Sequence, residues 1–186
     1  MWRVQRGALI TGLLVAVVVG LAAGLYWFQP WKLWQDETVT ESLPATVVEA
    51  SRTPETAPGT SPSPSAPTGP VTLATGELIS HEHTTSGTVK LVRLADGSHV
   101  IRLERLETSN GPDLRVWLTD APVKQGQAGW HVFDDGEYLS LGKLKGNKGS
   151  QNYPLPEDVD PYRYTSVTIW CDRFDVSFGA AELADA

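Results

Sequence analysis

An uncharged apolar run at residues 8–28, mostly Ala, Leu, Ile, Val and Gly and closing on Tyr26, Trp27 and Phe28, limits this chain more than any other feature. About 21 helical residues at about 1.5 Å each span about 31 Å, the depth of a bilayer core. The competing reading is a cleaved signal peptide, with Arg3 and Arg6 as its charged n-region and Gly20-Leu21-Ala22 as small residues for a peptidase. The run outlasts an h-region of roughly 7 to 15 residues. It is also followed by Trp31 and Trp34, whose amphipathic rings favour the headgroup layer. The expectation is therefore a transmembrane helix over residues 8–28. Arg3 and Arg6 precede it and Lys32 alone closely follows, so the positive-inside bias places residues 1–7 in the cytoplasm and the remainder on the far side of the cell membrane.

Residues 29–70 read as a juxtamembrane segment and a Pro/Ser/Thr-rich linker. Pro44, Pro54, Pro58, Pro62, Pro64, Pro67 and Pro70 stand among Thr, Ser, Ala and Glu, and large apolar residues are nearly absent after Val48. Such a segment buries no core. In extended polyproline geometry it would hold a domain up to about 100 Å from the bilayer.

From residue 71 to 184 the pattern changes to short apolar runs with turn residues about every ten positions, without helical spacing, which is the signature of an all-β domain. The clearest hairpin covers residues 86–107, with Asp96-Gly97 predicted as a type I′ turn. In that register Val92 faces Ile101 and Leu94 faces His99 on the core side with Leu103, while Arg93, Arg102 and Glu104 point away. Leu114, Val116 and Leu118 alternate with Arg115, Trp117 and Thr119 as a further strand. A long loop over residues 121–136 carries Trp130 and Phe133. Residues 139–144 and 151–155 read as a second hairpin about Gly146-Asn147-Lys148-Gly149, and 166–171 and 174–178 as a final strand pair joined at Asp172-Arg173. About eight strands in about 115 residues predict a small antiparallel β-sandwich or partly closed barrel.

The formal charge of −7, with no Lys/Arg cluster, argues against nucleic acid or an anionic lipid surface as partner. Cys171 is the single cysteine, so no intramolecular disulfide staples the domain. Hydrolytic and nucleotide chemistry lacks its motifs: there is no Gly-x-Ser-x-Gly, His-Glu-x-x-His, Cys-x-x-Cys or Walker loop.

Read as a motif string, the domain resembles the DM-thirteen family over about residues 73–183. His83 precedes Ser86-Gly87; Asn110-Gly111-Pro112-Asp113-Leu114 enters a strand. Leu144-Lys145-Gly146-Asn147 is followed by Gly149, Gln151 and Tyr153, and Ile169-Trp170-Cys171 by Phe174, Val176, Phe178 and Gly179. The resemblance implies an electron-transfer domain of the kind that accompanies cytochrome-like DOMON domains at animal cell surfaces. The family's cysteine, which falls on Cys171, is implied as a bare redox thiol or as a ligand to a prosthetic group such as haem. His83 is a second candidate cofactor-binding residue. A DOMON-like domain is not part of this sequence, so the resemblance implies a separate redox partner protein.

The residues themselves support blander readings beside these. Cys171 shares strand parity with Val167 and Ile169, which directs its sulfur inward as a packing residue. At its strand end, partial exposure and the Arg173 charge would lower its pKa, with Asp172 acting in the opposite sense. His81 and His83 are two apart and on a strand would share a face, making them candidate metal ligands, or else polar residues of a strand edge. Trp117, Trp130 and Tyr138 could form an aromatic platform for a glycan or partner protein, the non-catalytic alternative, whereas Trp130 and Phe133 could equally cap an open end of the sandwich.

Overall fold

The computed structural model describes residues 2–44 and 69–186. Helix α1 spans Trp2–Phe28. Its segment Ile10–Phe28 is long and apolar enough to cross a membrane, a property that signal sequences share, and none of it is buried against the rest of the chain. Pro30 ends the helix: it restricts the residue before it, and Gln29 turns to φ 44° before a short 3-10 helix at Pro30–Trp34.

Eleven strands follow among the described residues: β1 Thr38–Thr40, β2 Val71–Glu77, β3 Ile79–Ser80, β4 Ser86–Arg93, β5 His99–Glu107, β6 Leu114–Thr119, β7 Tyr138–Lys143, β8 Lys148–Pro154, β9 Ser166–Cys171, β10 Val176–Glu182 and β11 Ala184–Asp185. They form two sheets, one ordered β1-β8-β5-β4-β2-β11 and the other β3-β10-β9-β6-β7. All pairings are antiparallel except β1 with β8. The expected β-sandwich is present. Its core lies between the sheets, where Val89, Leu91, Ile101 and Leu103 meet Val116, Leu118, Val167 and Ile169. Each such side chain contributes about 1.5–3 kcal/mol on full burial.

The first hairpin differs from expectation by one residue. Leu94 N donates to the Ser98 carbonyl at 2.8 Å and Gly97 N to the Leu94 carbonyl at 3.0 Å, enclosing the three residues Ala95, Asp96 and Gly97. Only Gly97 has positive φ, at 88°, so the turn is not type I′. Asp96 Oδ1 accepts from the Ser98 amide and hydroxyl, which stabilises the longer turn. The extra residue shifts every pair: Leu91 lies opposite Ile101, Val92 opposite Val100 and Arg93 opposite His99. A one-residue slip reverses faces. Val92 and Leu94 therefore join Val100 on the outer face, in a small cluster with Leu43, instead of entering the main core.

Residues 139–144 and 151–155 do not form a hairpin. Strand β7 pairs with β6 in one sheet and β8 with β5 and β1 in the other, so residues 144–147 cross between layers. Side-chain amides hold this corner: Gln151 Oε1 accepts from Lys145 N at 3.0 Å, and Gln151 Nε2 donates to the Gly146 carbonyl at 2.8 Å. In the last strand pair the turn extends through Asp175, leaving Phe174 outside the strand and exposed.

The chain passes from α1 into the sandwich within a few residues. Thr38, Val39 and Thr40 lie opposite Lys148, Gly149 and Ser150. The sandwich thus begins inside the stretch expected as linker. Most of the expected stalk, residues 45–68, lies outside the described residues. It connects β1 to β2, both strands of one sheet, and does not separate α1 from the domain.

Candidate functional site

Cys171 is the last residue of β9, paired with Leu114 of β6 and Val176 of β10. Parity with Val167 and Ile169 turns its side chain inward, and it has no solvent-accessible surface. Leu114, Val176 and Phe178 belong to the same hydrocarbon cluster. The partial exposure expected at the strand end is absent, because the 110–113 loop covers that end: Asp172 N donates to the Asp113 carbonyl at 3.0 Å, and Gly111 lies against Leu114 and the Phe178 ring.

Burial pushes the Cys171 thiol pKa up, while the backbone amides of Arg173, Phe174 and Asp113 act against that shift in part. Arg173 acts here through its backbone amide and not, as expected, through its charge. Its guanidinium is engaged elsewhere, with Nη1 donating to the Trp27 carbonyl at 2.7 Å and the group 5.0 Å from the centre of the Trp27 ring. Asp172 is likewise occupied, 2.6 Å from Arg115 Nε.

His81 and His83 do not converge. They follow β3 in a bend, and each ring enters its own network. His81 Nε2 lies 3.0 Å from the Lys124 carbonyl, which can only accept, so Nε2 carries the proton and Nδ1 accepts from the Ser177 hydroxyl at 2.7 Å. Thr168 Oγ1 extends this buried chain at 2.8 Å from Ser177 Oγ. His83 stacks on Phe178 with centroids 3.9 Å apart and places Nδ1 2.7 Å from Ser109 Oγ. Burial lowers both imidazole pKa values. Among the described residues no group of three His, Cys, Asp or Glu side chains could hold a metal ion.

The residues at Cys171 do not fit a haem. Cys171 has no accessible surface and borders none of the surface clefts of about 310–610 Å³ found among the described residues at Thr40, Trp117, His99, His83 and Asp120. His83 borders a cleft of about 530 Å³ whose other walls include Asp36, Glu107 and Lys148, a charged lining that offers little to a porphyrin face.

The expected aromatic platform is largely internal. Loop 121–136 folds over the outer face of the second sheet, so Trp117, Ala121, Phe133, Trp170 and Ala180 form a second buried cluster. Trp117 is held between Tyr138, at 4.1 Å and 7°, and Trp170, at 4.9 Å. Phe133 is fully buried on that outer face and Trp130 packs against the main core, so they do not cap an end as a pair. What remains is a cleft of about 360 Å³ bordered by Arg115, Trp117, Asp134, Tyr138, Asp172 and Asp175.

The motif segments gather at the pole of the sandwich that carries Cys171. Thr85 Oγ1 and Thr108 Oγ1 are 2.8 Å apart, and the Thr108 carbonyl accepts from Asn147 Nδ2 at 2.8 Å. Asn147 Nδ2 also donates to Asp36 Oδ1 at 2.8 Å, its Oδ1 accepts from Glu37 N at 2.7 Å, and Asn110 Nδ2 donates to the Gln35 carbonyl at 3.3 Å. These asparagines therefore hold the segment just after α1. Sequence reasoning missed that role, because a hairpin-turn reading of Gly146-Asn147-Lys148-Gly149 accounts for the glycines and leaves the buried asparagine without a partner.

A family model described as Electron transfer DM13 matches residues 77–183, more than half of the chain. No curated protein and no solved structure matches.

Proposed function

We propose, from the premise that the chain belongs to the DM13 electron-transfer family, that its β domain is a redox module outside the cytoplasm, held at the cell membrane by α1, with Cys171 as the group that changes oxidation state. One observation carries the assignment to this residue. The only thiol in the sequence ends β9 directly before an exposed turn, and amides of Asp113, Arg173 and Phe174 offset part of the cost of ionising it in a hydrocarbon setting.

In the closed structure the sulfur is out of reach of any partner. Thiol–disulfide exchange needs a thiolate that can approach a second sulfur. Opening of the Asp172–Asp175 turn supplies that access, and a separate partner protein supplies the disulfide. The Cys171 thiolate attacks one partner sulfur, the partner S–S bond breaks, and the other sulfur leaves as thiolate. The test is a redox titration of the full chain in phosphatidylcholine vesicles against a small monothiol and its disulfide, read by intact mass. A reversible mixed disulfide on Cys171 with the fold retained supports the proposal. A thiol that stays reduced under all folding conditions overturns it.

A second reading, a non-catalytic module for a glycan or partner protein, is favoured by the cleft at Trp117 and Tyr138. Tyr138 is half-exposed beside Asp134, Asp172 and Asp175, and Trp117 Nε1 has no hydrogen-bond partner. Saturation of the Tyr138 environment by a cell-wall oligosaccharide, lost in Tyr138→Ala, would support it; an unchanged spectrum would remove it.

A further inference from the structure

We infer that the β domain sits directly on the bilayer, with the pole that carries the Asp172–Asp175 turn and the 110–113 loop against the lipid headgroup layer of the membrane that α1 crosses. The inference rests on the reading of α1 as a membrane anchor.

Contacts fix the end of α1 to this pole. Phe28 stacks on Phe174 with centroids 5.8 Å apart, Arg173 binds the Trp27 carbonyl and covers its ring, and Lys32 Nζ donates to the Pro112 carbonyl at 3.4 Å. Asn110 and Asn147 hold the next residues, Gln35 to Glu37, and β1 begins at Thr38. No free stalk intervenes. Because none of Ile10–Phe28 is buried against the rest of the chain, a bilayer can surround the helix and ends where the domain begins.

The surface at that level has the chemistry of a membrane interface. Trp31 is 44% exposed, Trp34 80% and Phe174 39%, adjoining Trp27 and Phe28 at the helix end. Tryptophan rings partition to the headgroup layer, and Lys32 and Arg173 can place their charges among phosphates while their stems stay in apolar surroundings. Two of the acids here are paired with bases, since Arg115 lies 2.6 Å from Asp172 and 3.4 Å from Asp113 and Lys143 lies 3.7 Å from Asp113, and the exposed Asp175 is set against the charges of Lys32 and Arg173. The chain's overall negative charge therefore does not repel this pole from lipid. In this seating the Cys171 end of β9 lies on the membrane side of the domain, and a partner reaches that end along the bilayer surface.

The test uses the full chain with a fluorescent non-natural amino acid at position 174 or, in a second chain, at position 95 in the exposed β4–β5 turn at the opposite pole. Both chains are reconstituted in vesicles of phosphatidylcholine and phosphatidylserine with lipids brominated near the headgroup. Quenching several-fold stronger at position 174 than at 95 is expected. Equal or absent quenching at 174 in chains that float with the vesicles overturns the seating and leaves the anchor intact. Chains that fail to float overturn the anchor and the seating together.

Discussion

Trp117 and Tyr138 lie ring on ring, 4.1 Å apart and 7° from parallel, so the tryptophan offers no free face to a ligand. Trp170 covers its other side. The pair is first a packing device that closes the outer face of the second sheet beneath loop 121–136.

Trp117→Ala should therefore unfold the domain at markedly lower denaturant, with a loss of about 3–5 kcal/mol as for large buried aromatics. Tyr138→Ala, at a half-exposed position, should lose only the stacking contribution of about 0.5–1.5 kcal/mol. Equilibrium denaturation of both variants checks this. Equal losses would mean that the stack is not a core element.

The histidines give the domain a pH limit. Burial lowers the folded pKa of His81 and His83 below their ordinary 6.5, so between those values the unfolded chain binds more protons than the folded one. Stability is then fully present above about pH 6.5 and falls as the pH drops below it toward the folded values. His81→Gln should flatten part of this slope in denaturation midpoints measured from pH 7.5 to 5. An unchanged slope would place its origin elsewhere.

Gly149 permits the parallel pairing of β1. Its φ is 98°, and a Cβ there would meet the Val39 carbonyl oxygen. Gly149→Ala should cost about 1–3 kcal/mol through backbone strain, in addition to the clash. Amides of residues 38–41 should exchange faster, while those of β9 keep their protection. Unchanged exchange at residues 38–41 would contradict the pairing.

The sheet class was legible because β-branched and apolar alternation survives in β6, β9 and β10, where both neighbours are strands of the same sheet. The inward parity of Cys171 followed from Val167 and Ile169 alone. What escaped was set by long-range contacts. A single extra turn residue reversed the faces of Val92 and Leu94, and Asp96-Gly97 suits two- and three-residue turns alike. Gly146 to Gly149 has the composition of a hairpin turn, yet Asn147 and Gln151 use their amides to carry the chain between layers. Trp117 has the parity of a surface residue, and only loop 121–136, 16 residues without an alternating pattern, determines that its face is covered. The role of Asn110 and Asn147 in holding the segment after α1 depends on partners more than 70 positions away.

The inward parity of Cys171 was legible, but the closing of its strand end by the 110–113 loop was not, and that cover bears most directly on function. Under the proposed redox role, the chemistry of Cys171 is set by how readily the Asp172–Asp175 turn opens. Local opening exposes little surface and depends weakly on denaturant, whereas global unfolding depends steeply on it.

The most direct measurement is the rate at which a small thiol reagent modifies Cys171 in the full chain, followed by mass across a denaturant series well below the unfolding transition. A gated redox thiol predicts a rate that stays level at low denaturant and exceeds the rate set by global unfolding. A rate that follows the global unfolding line down to zero denaturant would contradict it and leave Cys171 a core residue alone.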